Sequence, residues 1–241
     1  MNNNTKNYYR IEPENYREGK SDIIIQPKMQ PEMTLVFLHG MGDSPLGYVD
    51  FFISEHSPLP VNSKIILLCA PEIEISCFNR YKCRNWFDVI NRNLKNEIDY
   101  AWLKKNDNCK KISEILEEEC NLYYGDYTQI ILGGFGEGGC MALWYGLTIN
   151  SKFGGLFSLS GVVLHQITED IITDKKQLKI FIGYGAKDTV IPLDIAEHLN
   201  RNIKSICQYK IYQNMGHAIS KEELKSIYYL LYKKYKIDYI Q

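Results

Sequence analysis

Short, nearly continuous apolar runs recur along the chain, and most are closed by glycine or proline. Ser21 to Lys28 holds Ile23, Ile24 and Ile25. After Pro31, Met33 to Leu38 is a second run that ends at His39-Gly40. These two read as a hairpin or as two early strands. Ile65 to Ala70 stops at Pro71, Gln129 to Leu132 at a glycine cluster, Leu156 to Leu159 at Ser160-Gly161, and Leu178 to Ile182 at Gly183. Runs of this kind suit strands buried on both faces of a parallel sheet. Ile206 to Tyr212 alternates more and is expected nearer an edge.

Between the runs the period changes to that of a helix. Glu97 to Leu122 carries Ile98, Leu103, Ile112, Ile115 and Leu116, enough for one long helix or two short ones. Gly138 to Leu147 reads as a helix after a glycine turn, and Pro192 opens another that reaches Ile203. Ser220-Lys221-Glu222-Glu223 is a capping box, followed by Leu224, Ile227, Tyr228 and Leu231 along one helical face. Alternating strand and helix predicts an α/β fold: a mostly parallel central sheet with helices on both faces. Length agrees, since 241 residues suit one domain. Residues 1–20 are polar and are expected to form a flexible arm or edge segment, leaving 21–241 as the domain. Residues 72–96 show no clear period, and a stretch that long is a candidate lid.

Composition narrows the function classes. Apolar residues make up 45% and charged residues 24%, with a formal net charge of −1, and both signs are mixed along the chain. Such a balance gives no electrostatic footprint for nucleic acid. No apolar run reaches the ~18 residues of a membrane span. Met1 to Arg10 has neither a signal-peptide core nor a glycine after Met1 for myristoylation. Seven scattered cysteines, an odd number, fit a reducing, cytoplasmic setting and match no zinc spacing. No metal is expected.

The chemistry is concentrated in four segments. Gly134-Phe135-Gly136-Glu137-Gly138 links a strand to a helix, the setting of a G-x-S-x-G nucleophile elbow. Gly136 fills the serine position. Asp188 follows the strand around Ile180, and His217 follows the last strand, so slot, acid and histidine occur in the α/β-hydrolase order. Leu38-His39-Gly40-Met41-Gly42-Asp43 follows an early strand. Its Met41 N–H, with the N–H of Glu137, is the expected oxyanion hole. The same glycines also spell G-x-G-x-x-G, a dinucleotide or phosphate loop. The middle-strand position and the Asp–His partners favour the hydrolase reading. His56, His165 and His198 carry no motif.

These residues, together with Trp86-Phe87-Asp88, Gly138-Gly139, Pro192 and Gly216, resemble the acyl-protein thioesterase or phospholipase/carboxylesterase family over about residues 21–235. The resemblance implies a single-domain α/β-hydrolase that needs no cofactor. It would cleave acyl thioesters on proteins, or carboxylic and lysophospholipid esters, with transient contact at a membrane surface. Trp86 and Phe87 would either line the acyl pocket or fill core.

The chain departs from the family pattern where it matters. G-F-S-Q-G-G has become Gly134-Phe135-Gly136-Glu137-Gly138-Gly139, Tyr184 stands where a histidine is common, and Asn85 where a small residue is usual. Losing the serine of a Ser-His-Asp site, as in subtilisin, costs about 10⁶ in kcat. Cys140, Ser160 and Ser44 offer no nucleophile at the required geometry: Cys140 reads as buried structure and the two serines as loop hydroxyls bonding local backbone. The Glu137 side chain is expected to point outward. The chain is therefore expected to be a catalytically impaired pseudohydrolase that binds acylated protein or lipid. The alternative is a working serine esterase or thioesterase whose natural codon at 136 is serine.

Overall fold

A computed structural model describes residues 9–90, 107–164 and 169–232. Ten strands are described: β1 (Tyr9–Glu12), β2 (Ile23–Pro27), β3 (Met33–Leu38), β4 (Ser63–Leu68), β5 (Glu72–Ile75), β6 (Tyr81–Arg84), β7 (Ile130–Phe135), β8 (Gly155–Leu159), β9 (Ile180–Gly185) and β10 (Gln208–Tyr212). The helices are α1 (Val49–Ile53), α2 (Asp107–Leu122), α3 (Glu137–Thr148), α4 (Glu169–Asp174), α5 (Leu193–Asn200) and α6 (Lys221–Tyr232). Eight strands form one sheet in the order β1-β2-β4-β3-β7-β8-β9-β10. It is parallel from β4 to β10 and antiparallel at the β1-β2-β4 edge.

The apolar runs are explained by burial on both faces. Along β3, Leu35 and Phe37 join one core cluster with Phe52 of α1 and with Leu224, Ile227 and Leu231 of α6. Val36 and Leu38 point the other way, into a cluster with Ile112 and Leu116 of α2 and Met141 and Leu143 of α3. Successive side chains of a strand face opposite sides, so a strand covered twice has no polar positions to spare.

Several expectations change. The two early strands do not pair as a hairpin, because β4 lies between them. Of the flexible arm or edge segment expected over 1–20, Tyr9–Glu12 forms an edge strand that pairs antiparallel with β2. Residues 72–84 hold a two-stranded antiparallel hairpin, β5–β6, with Ile73 opposite Cys83. Of the long helix expected from Glu97, the part before Asp107 lies outside the described residues, as does His165. Pro192 caps α5 rather than opening it, and the helix gives way to a 3₁₀ turn at Arg201–Ile203.

The capping box on α6 forms as expected. The Ser220 N–H donates to Glu223 Oε2 at 2.8 Å and the Glu223 N–H to Ser220 Oγ at 3.2 Å. Glu223 is fully buried, and its Oε1 has no hydrogen-bond partner among the described residues. Burial pushes its carboxyl up to about 7.

Candidate active site

Strand β7 carries the chain into a sharp bend and α3 carries it out. Gly136, at the bend, has φ 54° and ψ −121°. Such a conformation costs an L-residue with a side chain on the order of 1–3 kcal/mol, and glycine much less. Close packing holds the bend in place. A Cβ on Gly138 would lie 2.2 Å from the Leu38 carbonyl oxygen, so the first turn of α3 rests directly on the backbone of β3.

The structure brings the expected partners to this bend. A Cβ on Gly136 would stand 3.2 Å from His217 Nε2, its nearest neighbour beyond the elbow. His217 Nδ1 is 2.7 Å from Asp188 Oδ2. The other oxygen, Asp188 Oδ1, accepts from the Val190 N–H at 2.8 Å and the Ile191 N–H at 2.9 Å. Burial alone would raise the Asp188 carboxyl. The hydrogen bond from His217 and those from the backbone outweigh it, so the group titrates below the usual carboxylate range. An ionised Asp188 accepts the Nδ1 proton, which leaves the Nε2 lone pair facing Gly136. The Phe135 ring packs against the imidazole at 4.8 Å between centroids. Tyr184, in the common histidine position, donates its O–H to the Ile191 carbonyl at 2.8 Å and so braces the Asp188 turn.

The Gly40–Asp43 loop faces the elbow. Its shape comes from groups that the sequence pattern alone does not identify. Tyr48 O–H donates to Asp43 Oδ2 at 2.8 Å and accepts from the Gly40 N–H at 3.2 Å. His39 Nε2 accepts from the Ala70 N–H at 3.0 Å, so its Nδ1–H donates to the Gly40 carbonyl at 2.7 Å. Burial lowers the His39 pKa and keeps the ring neutral. The Glu137 N–H opens α3, where helix geometry leaves it without an intrahelical acceptor. Met41 sits at the exposed side of the loop, 36% accessible.

One expectation about a side chain is overturned. Glu137 points inward: its Oε2 accepts from the Trp86 N–H at 3.3 Å and its Oε1 from the Phe87 N–H at 3.4 Å. These bonds are long for an ionised carboxylate. Burial pushes the group well above the usual range against those two amides, and the nearby Asp88 charge adds to the push. Trp86 and Phe87 are buried, at 0% and 3% exposure, which fits the core-filling alternative. Trp86 Nε1–H donates to the His39 carbonyl at 2.8 Å, and Asn108 Nδ2–H donates to the Trp86 carbonyl at 2.9 Å. The segment therefore bolts the elbow to the Gly40–Asp43 loop. Asn85 helps, with Nδ2–H donating to the Phe87 carbonyl at 3.0 Å, and Asp88 ties down Ser76 in the turn between β5 and β6.

The other nucleophile candidates sit away from the imidazole or lack an activated group. Cys140 Sγ accepts from the Val162 N–H at 3.2 Å, and burial pushes its thiol up to about 12. Ser44 Oγ lies against Gly19. Ser160 is buried at φ 53°, and its Oγ bonds to nothing among the described residues, contrary to the local backbone bond expected.

A family model for phospholipase/carboxylesterase matches residues 20–235. The chain belongs to the phospholipase/carboxylesterase family. Among its relatives, acyl-protein thioesterase 1 of Gibberella zeae is 28% identical over 225 residues, covering 88% of this chain and 94% of the relative. Acyl-protein thioesterase 1 of Saccharomyces cerevisiae is 26% identical over 222 residues, with 84% and 93% covered. The crystal structure of Arabidopsis thaliana SOBER1 shares the fold at a TM-score of 0.70 and 24% identity, covering 84% of this chain and 98% of that one. Zea mays acyl-protein thioesterase 2 does so at 0.68 and 21%, covering 89% and 98%. As in other phospholipase/carboxylesterase proteins, the fold is that of an α/β-hydrolase. Among the described residues no helix is long and apolar enough to cross a membrane.

The inward Glu137 carries a pH signature. An unfolded glutamate titrates near pH ~4.3. Between there and the raised value of the folded group, the native state keeps a proton that the unfolded chain has lost, so stability falls as pH rises. Glu223 adds the same sign up to about 7. His39, whose lowered pKa gives the opposite slope below pH 6.5, is common to both proteins, so differential scanning calorimetry should show Tm of wild type falling relative to that of Glu137→Gln from pH 5 to pH 8. Equal falls in the two proteins would mean that Glu137 is not held neutral.

Proposed function

We propose that this chain is an acyl-protein thioesterase/carboxylesterase-like protein that has lost serine-type turnover. It takes an acyl ester or thioester, such as that of an S-acylated protein, into the site between the Gly40–Asp43 loop and the elbow. The observation that carries this reading is Gly136 itself: the bend and the His217–Asp188 pair are in place, and the side chain that would be acylated is absent. The relatives named acyl-protein thioesterase support the substrate class. The Met41 and Glu137 N–H groups are the donors assigned to the acyl carbonyl oxygen. The proposal keeps the cytoplasmic setting suggested by the scattered cysteines, with transient membrane-surface contact where acylated substrates reside.

The test is binding and labelling together. A peptide carrying a ketone analogue of S-palmitoyl cysteine, with CH₂ in place of sulfur, should bind saturably in calorimetry. A fluorophosphonate probe should leave the protein unlabelled. Labelling at Gly136-containing peptides, or serine-enzyme rates on p-nitrophenyl octanoate, would overturn the proposal. So would failure to bind the ketone.

A further inference from the structure

Removing the side chain at position 136 leaves an activated nitrogen as the group nearest the elbow. His217 Nε2 stands 3.2 Å from the Cβ position, closer than most real side chains would tolerate, so the ring reaches into space that a serine would occupy. Its other nitrogen is tied to the buried Asp188 carboxylate at 2.7 Å, which fixes the ring's orientation and the tautomer with the Nε2 lone pair toward the bend. Phe135 holds the ring's face. We propose that His217 is itself a nucleophile, attacking acyl thioesters through Nε2, and that the chain is a slow acyl hydrolase selective for thioesters over oxyesters. The inference rests on the reading that this site takes acyl carbonyls.

The selectivity follows from where protons are. In a serine site the histidine takes a proton from the hydroxyl and later gives it to the leaving group. A histidine that attacks with its own lone pair has collected no proton, so it cannot act as general acid. Nε2 forms the C–N bond to the acyl carbon. The C–S bond breaks, its electron pair leaves as thiolate, and the acyl group rests on Nε2 while Nδ1–H stays bonded to Asp188. A thiol, with a free pKa of about 8.5, departs unprotonated with ease. An alkoxide does not. Water then adds to the acyl carbon and the C–N electrons return to Nε2. The carboxylic acid leaves with one water proton, and the other reaches the thiolate through solvent. Loss of general acid help costs an alkyl ester about 10²–10⁴-fold.

A competing route has His217 activate water. That histidine gains a proton and can pass it on, so it cleaves both ester types. A matched pair separates the two: the octanoyl thioester of N-acetylcysteamine and the octanoyl ester of 2-acetamidoethanol. Relative to their buffer rates, the thioester should be favoured by about 10²–10⁴-fold. Hydroxylamine should divert product to the hydroxamate without changing the rate of thiol release, because acylation limits turnover and the acyl-imidazole is intercepted after it. His217→Ala should lose both signals. Should that variant misfold, the ester pair and hydroxylamine partitioning on the wild-type chain still decide. Equal acceleration of both esters, no thioester turnover above buffer, or no hydroxamate beyond the buffer reaction would overturn the inference. Binding of the ketone analogue, measured in parallel, tells its failure from that of the proposed function: ketone bound without turnover removes the nucleophile alone.

Discussion

Gly136→Ser should turn the protein into a fluorophosphonate-reactive esterase, with kcat rising by up to about 10⁶-fold, the cost of losing such a serine elsewhere. The partners it needs are already placed. His217 Nε2 faces the bend, Asp188 fixes the ring's tautomer, and the Glu137 N–H opens the helix behind it. A modest structural penalty opposes the gain. A Cβ at 3.2 Å requires the ring to retreat by a few tenths of an ångström, and φ 54° with ψ −121° strains a serine by about 1–3 kcal/mol. A stiffer unfolded chain returns about 0.4–1 kcal/mol at best. The variant should therefore melt lower, by roughly 2–4 °C per kcal/mol for a chain of this size. Glu137 sets the pH range of the gain. Once ionised, its carboxylate opposes negative charge growing at its own N–H, so the activity of Gly136→Ser should decline on the alkaline side, and the double variant with Glu137→Gln should hold its rate there. A folded Gly136→Ser protein without activity would mean that the rest of the machinery has lost its alignment.

The second large effect concerns folding. In Gly138→Ala the new methyl would meet the Leu38 carbonyl oxygen at 2.2 Å and the His39 carbonyl oxygen at 2.4 Å, both rigid backbone of β3 and its loop. Alanine improves helix propensity by about 1 kcal/mol. Forcing α3 off the sheet costs about 3 kcal/mol or more, since the contact is with main chain rather than a movable side-chain tip. The loss wins, and it is a large share of a typical 5–15 kcal/mol stability. Urea denaturation should show a midpoint well below wild type, and the net loss of about 2 kcal/mol or more should lower Tm by roughly 4–8 °C or more. A shift under about 2 °C would mean that α3 does not touch β3 as described.

The parts of this fold legible in the sequence were those where one residue's surroundings repeat along the chain. Strands buried on both faces leave uniform apolar runs, and α6 shows both its capping box and its stripe of Leu224, Ile227 and Leu231. β1 and the β5–β6 hairpin escaped because they are short and carry polar residues on exposed faces, as with Arg10, Glu72, Glu74 and Lys82. At the site, motif order located Gly136, Asp188 and His217. The inward turn of Glu137 was not readable, because it depends on two amides about fifty residues away at Trp86 and Phe87. The partner of the Trp86 indole was hidden for the same reason: it is the carbonyl of His39, 47 positions earlier. Tyr48 left no signal beyond lying five residues past Asp43.

Helix α3 is buried along residues 137–147, and beyond its end Lys175 Nζ donates to the Ile149 carbonyl at 2.8 Å and the Ser151 carbonyl at 3.2 Å. A helix with no wet side keeps its field, because dissolved ions cannot gather along it and damp the aligned peptide dipoles. In the proposed function its positive end faces the acyl carbonyl oxygen. That pull is the same whether serine or glycine stands at the bend, so in the proposed function the scaffold orients the carbonyl and residue 136 decides what happens next.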